Sequence, residues 1–116
     1  MPMQLVDKKI TRTQLMELAK ERFGDLVKAV VDIKQGVMII GGELHADEES
    51  LLLDQGSLQQ DLWGINLYPD QTGEAFIEFD SMINIRPSQG NRSRDIQDPV
   101  IRKKIIDIVH RLVESV

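Results

Sequence analysis

Residues 76 to 86, Phe-Ile-Glu-Phe-Asp-Ser-Met-Ile-Asn-Ile-Arg, alternate in hydrophobicity, and the alternation sorts them onto two faces. In an extended strand successive side chains point to opposite sides. Ile77, Phe79, Ile83 and Ile85 then share one face, with Ser81 out of place. Glu78, Asp80, Asn84 and Arg86 share the other, interrupted by Met82. A helix cannot use such a pattern, so the run demands a sheet with one apolar and one polar side.

The chain around it has 116 residues, enough for one domain (1–116). With 41% apolar residues it can fill one core, and 28% charged residues is ordinary. It contains no cysteine, which excludes disulfides, thiolate catalysis and thiolate zinc sites. The longest uninterrupted aliphatic run, Val37 to Ile40, is far shorter than a membrane span. Residues 1–7 show neither a basic nor an apolar signal region, so the expectation is a soluble, cytoplasmic protein. The net charge of -5 is unevenly spread: ten acids and no Lys or Arg fall between Gln35 and Ile85. The remainder carries all 14 cations against nine acids, the chain's 19 less those ten. Basic ends can therefore neutralise an acidic middle, within one chain or across a homo-oligomer contact.

The element pattern reads α-β-β-(short α)-β-β-α. Thr11 and Gln14 form a capping box for a helix over 12–23, with Leu15, Leu18, Ala19 and Phe23 as its apolar stripe and Gly24 at its end. Strands follow over 27–33 and 37–45, joined by a turn at Lys34-Gln35-Gly36. Gly41-Gly42 marks a bulge or a close approach in the second. Asp47 reads as the N-cap of a short helix that Gly56 ends. Leu62 to Tyr68 is the third strand, with Trp63, Ile65 and Leu67 on one side, and 76–86 is the fourth, stopped by Pro87. After a polar loop, Asp98-Pro99 starts a helix striped by Ile101, Ile105, Ile108, Val109, Leu112 and Val116. The expected fold is α+β: a four-stranded antiparallel sheet of two hairpins, with the N- and C-terminal helices packed on one face.

Two places carry candidate chemistry. If the strands align, Glu43, His45, Asn66, Glu78, Asp80, Asn84 and Arg86 surround the polar sheet face. Strand geometry separates Glu78 from Asp80 by about 7 Å and from Arg86 by about 26 Å, so one small ligand spans only part of the row. Within it Glu43, His45, Glu78 and Asp80 suit a carboxylate- or metal-assisted hydrolase, with Glu43, His45 and Asp47 the candidate metal ligands. Asp47 is better used as a cap, and the other histidine, His110, sits on the distant last helix. The second place is the loop from Arg86 to Arg94, where arginines, glycine and hydroxyls precede a helix. Together these favour a polar or anionic small ligand held by Asn66, Asn84, Arg86, Ser88, Asn91 and Arg92. No cofactor is specified, and the protein-interaction module remains the other alternative. Arg86, Arg92, Arg94, Arg102, Lys103, Lys104 and Arg111 could form a basic patch, but 4% aromatic content argues against a nucleic-acid platform.

The phrases 42–53 (GELHADEESLLL), 61–69 (DLWGINLYP) and 76–93, with Ile10-Thr-Arg12 and Ala29-Val-Val-Asp-Ile33, resemble a family of small prokaryotic single-domain proteins catalogued as a domain of unknown function. The resemblance covers nearly the whole chain. It implies a stand-alone domain and no assigned activity, cofactor or catalytic residue.

Overall fold

The centre of the sheet is the hairpin that the sequence marks most clearly. A computed structural model describes residues 3–114 and places β2 (Val27–Asp32) antiparallel to β3 (Val37–Ile40), with Val30 opposite Ile39. Gly36, at φ 71°, supplies the left-handed turn residue. Asp32 fastens the same turn, accepting the Lys34 and Gln35 amides at 2.9 Å each.

The sheet has five strands rather than four, in the order β1-β3-β2-β4-β5, every neighbouring pair antiparallel. The additional strand is β1 (Gln4–Val6), which pairs with β3. β4 (Leu62–Leu67) lies along β2 over its whole length. β5 is only Ile77–Glu78. The expected fourth strand over 76–86 stops there because Ser81 intervenes: its hydroxyl accepts the Ile83 amide at 3.3 Å and starts a 3-10 turn over Met82–Asn84. A further 3-10 turn, Pro87–Gln89, follows.

One sheet face carries Val27, Ala29, Val31, Met38, Ile40, Trp63, Ile65 and Leu67. It packs on α1 (Arg12–Arg22) through Leu15, Leu18 and Ala19, and on α3 (Pro99–Leu112) through Ile105, Val109 and Leu112. Both helices start as their sequences require. Thr11 and Gln14 form the capping box, and the Asp98 carboxylate accepts the Val100 amide at 2.8 Å. Phe23 leaves the α1 stripe and is exposed, and Val116 lies outside the described residues.

The other face is not the open polar surface expected of it. Val30, Ile39 and Leu62 form a second, smaller core with Leu52 of α2 (His45–Asp54) and with Ile83. β3 therefore ends at Ile40, not His45, and the helix begins with Leu44 at its N-cap instead of Asp47. The chain turns back over the sheet at Gly41-Gly42. A Cβ on Gly42 would stand 2.7 Å from the Glu48 Cγ, so only glycine lets α2 come this close. Gly56, at φ 100°, ends α2 through two bonds, Ser57 N–H to the Leu52 carbonyl at 3.0 Å and Gly56 N–H to the Leu53 carbonyl at 3.1 Å. Among the described residues no helix is long and apolar enough to cross a membrane.

Candidate functional site

Along an antiparallel edge, alternate residues turn their N–H and C=O groups outward. β4 is six residues long but β5 covers only Asn66 and Leu67 of it, so the rest of that edge needs other partners. Side chains provide them. Asn84 takes the place of a strand beside Gly64: its Oδ1 accepts the Gly64 N–H at 2.8 Å and its Nδ2 donates to the Gly64 C=O at 2.9 Å. The same Nδ2 donates to the Arg94 carbonyl at 3.0 Å. Arg86 donates to the Leu62 and Gln59 carbonyls while its guanidinium lies 4.1 Å from the centre of the Trp63 ring. Gly64 must be glycine, because a Cβ would meet the Ser81 Cβ at 2.6 Å.

The loop beyond is knitted in the same way. Asn91 donates to the carbonyls of Asn84 (2.7 Å), Ser93 (3.0 Å) and Asp95 (2.7 Å), and accepts the Gln97 amide at 2.8 Å. Asn84 and Asn91 thus spend their polar atoms on this chain's own backbone, and Arg86 commits both terminal nitrogens within the chain, to the Leu62 and Gln59 carbonyls and to the Gln89 side chain. Ser88 and Arg92 remain as exposed side chains.

Asn66, Glu78, Asp80 and His45 do come together, at one end of the α2-covered face. Lys28, Asn66 and Glu78 occupy directly paired positions on β2, β4 and β5. The Asn66 Nδ2 donates to Glu78 at 2.8 Å and to the Asp80 carbonyl at 3.2 Å, and the Tyr68 hydroxyl donates to Glu78 at 3.1 Å. Asp80 receives Arg94 through two nitrogens, at 2.7 and 3.3 Å. His45 is buried, with Nε2 2.8 Å from the Ile65 carbonyl, which fixes that nitrogen as the protonated one. Burial lowers its pKa against the raising effect of this carbonyl, so the ring is neutral. Glu43 is elsewhere, exposed and 2.7 Å from Arg22. The pair proposed for a metal is therefore divided, and among the described residues no three His, Asp or Glu side chains are grouped to hold an ion.

Two features lay beyond sequence reasoning. The first is Glu48, fully buried beneath the Gly41-Gly42 turn, with Oε2 accepting the Gly42 amide at 3.0 Å. Burial pushes its pKa up to about 9, so the carboxyl is neutral at pH 7. The double glycine was the available signal, since it announced a close approach without saying to what. The second is a groove of about 720 Å³ between β5 and α3. Ile77, Phe79 and Ile106 make its floor, and Glu74 and Glu78 stand on its rim. Arg102 is held in place there, 4.3 Å from the centre of the Phe79 ring, donating to the Ile96 carbonyl at 2.6 Å and paired with Asp95. His110 completes that wall, and Arg102, Ile106 and His110 are spaced by fours along α3. The basic patch read from the sequence is largely matched: Arg94 by Asp80, Arg102 by Asp95 and Lys103 by Asp107, while Arg111 donates to the Gly36 carbonyl.

A family described as "Protein of unknown function (DUF5674)" matches residues 4–112. The chain belongs to this family. No curated protein and no solved structure matches it. Nothing in the DUF5674 description carries an activity to these residues, so their chemistry has to be argued from the geometry above.

Proposed function

We propose that this DUF5674 protein binds a polar ligand in the groove between β5 and α3. The supporting observation is the groove itself. Its volume of about 720 Å³ falls in the range of ordinary ligand sites, roughly 300–1,000 Å³, and it joins an apolar floor to a few ionisable groups. Arg102 is already held in the wall by Phe79, Ile96 and Asp95, so shaping that wall needs little further ordering. The Arg86–Arg94 loop offers a ligand less, because Asn84, Arg86 and Asn91 already satisfy its own backbone. A hydrolase built on Glu43, His45, Glu78 and Asp80 has Glu43 paired to Arg22 and His45 buried against Ile65.

The test is a fragment screen read by NMR on the labelled protein and on Ile106→Trp, whose indole fills the groove. Hits should move the Phe79 and Ile106 signals and lose this effect in the variant. Hits that move Ser88 and Arg92 instead would transfer the site to the loop. An absence of hits in the groove would end this reading.

A further inference from the structure

The groove runs along a sheet edge, and the ladder shows which main-chain groups face it. Tyr68 N–H donates to the Phe76 carbonyl at 2.9 Å, and across the other side of β4 the Ile33 N–H donates to the Asp61 carbonyl at 3.0 Å. These two bonds fix the alternation: Asn66 and Tyr68 turn toward β5, while Leu67 turns toward β2. Phe76 and Glu78 therefore pair inward, and Ile77 between them points its N–H and C=O away from β4. β5 ends the strand order, and Ile77 lines the groove. Outward-facing main-chain groups of Ile77, just past the 3-10 turn Gly73–Phe76, thus stand beside an apolar floor.

Resting on the groove reading above, we infer that the ligand is an extended peptide with a basic side chain, added outside β5 as a sixth strand. Length fits. From Arg102 to His110 the α3 wall rises about 12 Å at roughly 1.5 Å per residue, matching three to four residues of strand at about 3.3 Å each. Side-chain alternation fits as well. Residues pointing to the α3 side meet Phe79 and Ile106, and those between them point to the side of Glu78. Charge then selects the peptide. Asp95 is matched by Arg102 and Asp80 by Arg94, whereas Glu78 has only the neutral Asn66 and Tyr68 as hydrogen-bond donors, with Arg94 acting on it from farther off, and Glu74 stands exposed near it. The groove side of the peptide is apolar and the residue facing Glu78 is Lys or Arg. Strand addition of this kind draws affinity from main-chain pairing and specificity from alternate side chains. A compact small molecule covers the floor but does not offer Ile77 a donor and an acceptor at main-chain spacing.

The probe is the capped pentapeptide acetyl-Val-Lys-Val-Lys-Val-amide at millimolar concentration, read by amide hydrogen exchange and chemical shift. It should slow exchange at the Ile77 N–H at least tenfold and move the Phe79 resonance. Methylating the peptide's main-chain nitrogens should weaken binding at least tenfold, and so should replacing both lysines by glutamate. Glu78→Gln, which keeps the acceptor for Asn66 and Tyr68, should reduce the preference for lysine over glutamate. If small fragments occupy the groove but the pentapeptide leaves Ile77 exchange unchanged, the strand inference is wrong and the groove reading stands. If neither fragments nor peptides touch Phe79 and Ile106, both are wrong.

Discussion

The two faces of this sheet are closed by different means. The face under α1 and α3 is sealed chiefly by apolar side chains, from Val27 and Trp63 on the sheet to Ile105 and Leu112 on α3. The face under α2 has a small apolar patch, Val30, Ile39, Leu52 and Leu62, flanked by Glu48, His45, Asn66 and Asn84, all buried. Shape complementarity holds the first, and it is indifferent to pH. Hydrogen-bond bookkeeping holds the second, and each buried polar atom there is costly to orphan.

That contrast breaks down or sharpens at particular residues. Ile105→Ala cuts into the first face and should cost about 4 kcal/mol in urea unfolding, as large-to-small core changes do, by the same amount at pH 5 and pH 8. A smaller loss, about 3 kcal/mol, is expected of Asn84→Ala, which strands the Gly64 N–H and C=O and the Arg94 carbonyl. A near-neutral result would mean that β4's edge does not depend on this side chain. Glu48→Gln should be neutral near pH 4 and stabilising at pH 8, the gain growing by at most about 1.4 kcal/mol for each pH unit above the unfolded value. The sign follows from the raised pKa: between about 4.5 and about 9 the folded carboxyl keeps a proton that the unfolded one has lost, so wild-type stability falls as pH rises through that window. A variant that unfolds in parallel with wild type at every pH would show Glu48 to be ionised in the fold. Last, Arg86→Ala should cost about 1 kcal/mol, through loss of its stacking on Trp63 and of its bonds to the Leu62 and Gln59 carbonyls.

The sequence was most readable where local signals and tertiary demands agree. Thr11 and Gln14, Gly36, and Asp98 with Pro99 each marked an element end that the structure reproduces. Trp63, Ile65 and Leu67 share the apolar face, and Asn66 lies on the face of Glu78, both as the alternation required; their direct pairing is added by the structure. β1 was hidden because three residues with one buried side chain have no period of their own; their pairing with β3 makes them a strand. The α2-covered face was hidden because Val30, Ile39 and Leu52 are too few to declare a second core. The run over 76–86 misled for a local reason. Ser81 was the one residue out of phase, and that is where its hydroxyl turns the backbone into a 3-10 bend. Asn84 and Arg86 still fall along β4 in the order expected, but they act as its hydrogen-bonding neighbours. The groove could not be seen at all, since it joins Phe79 and Glu78 to Arg102 and Ile106 across more than twenty positions.

Asn84 and Arg86 have a consequence for behaviour in concentrated solution. A bare stretch of β4 would be a template on which another molecule's backbone could grow, the usual start of aggregation. Two side chains from the same polypeptide deny it that opening. Losing either would therefore show first as turbidity on storage, before any spectroscopic change in the folded protein.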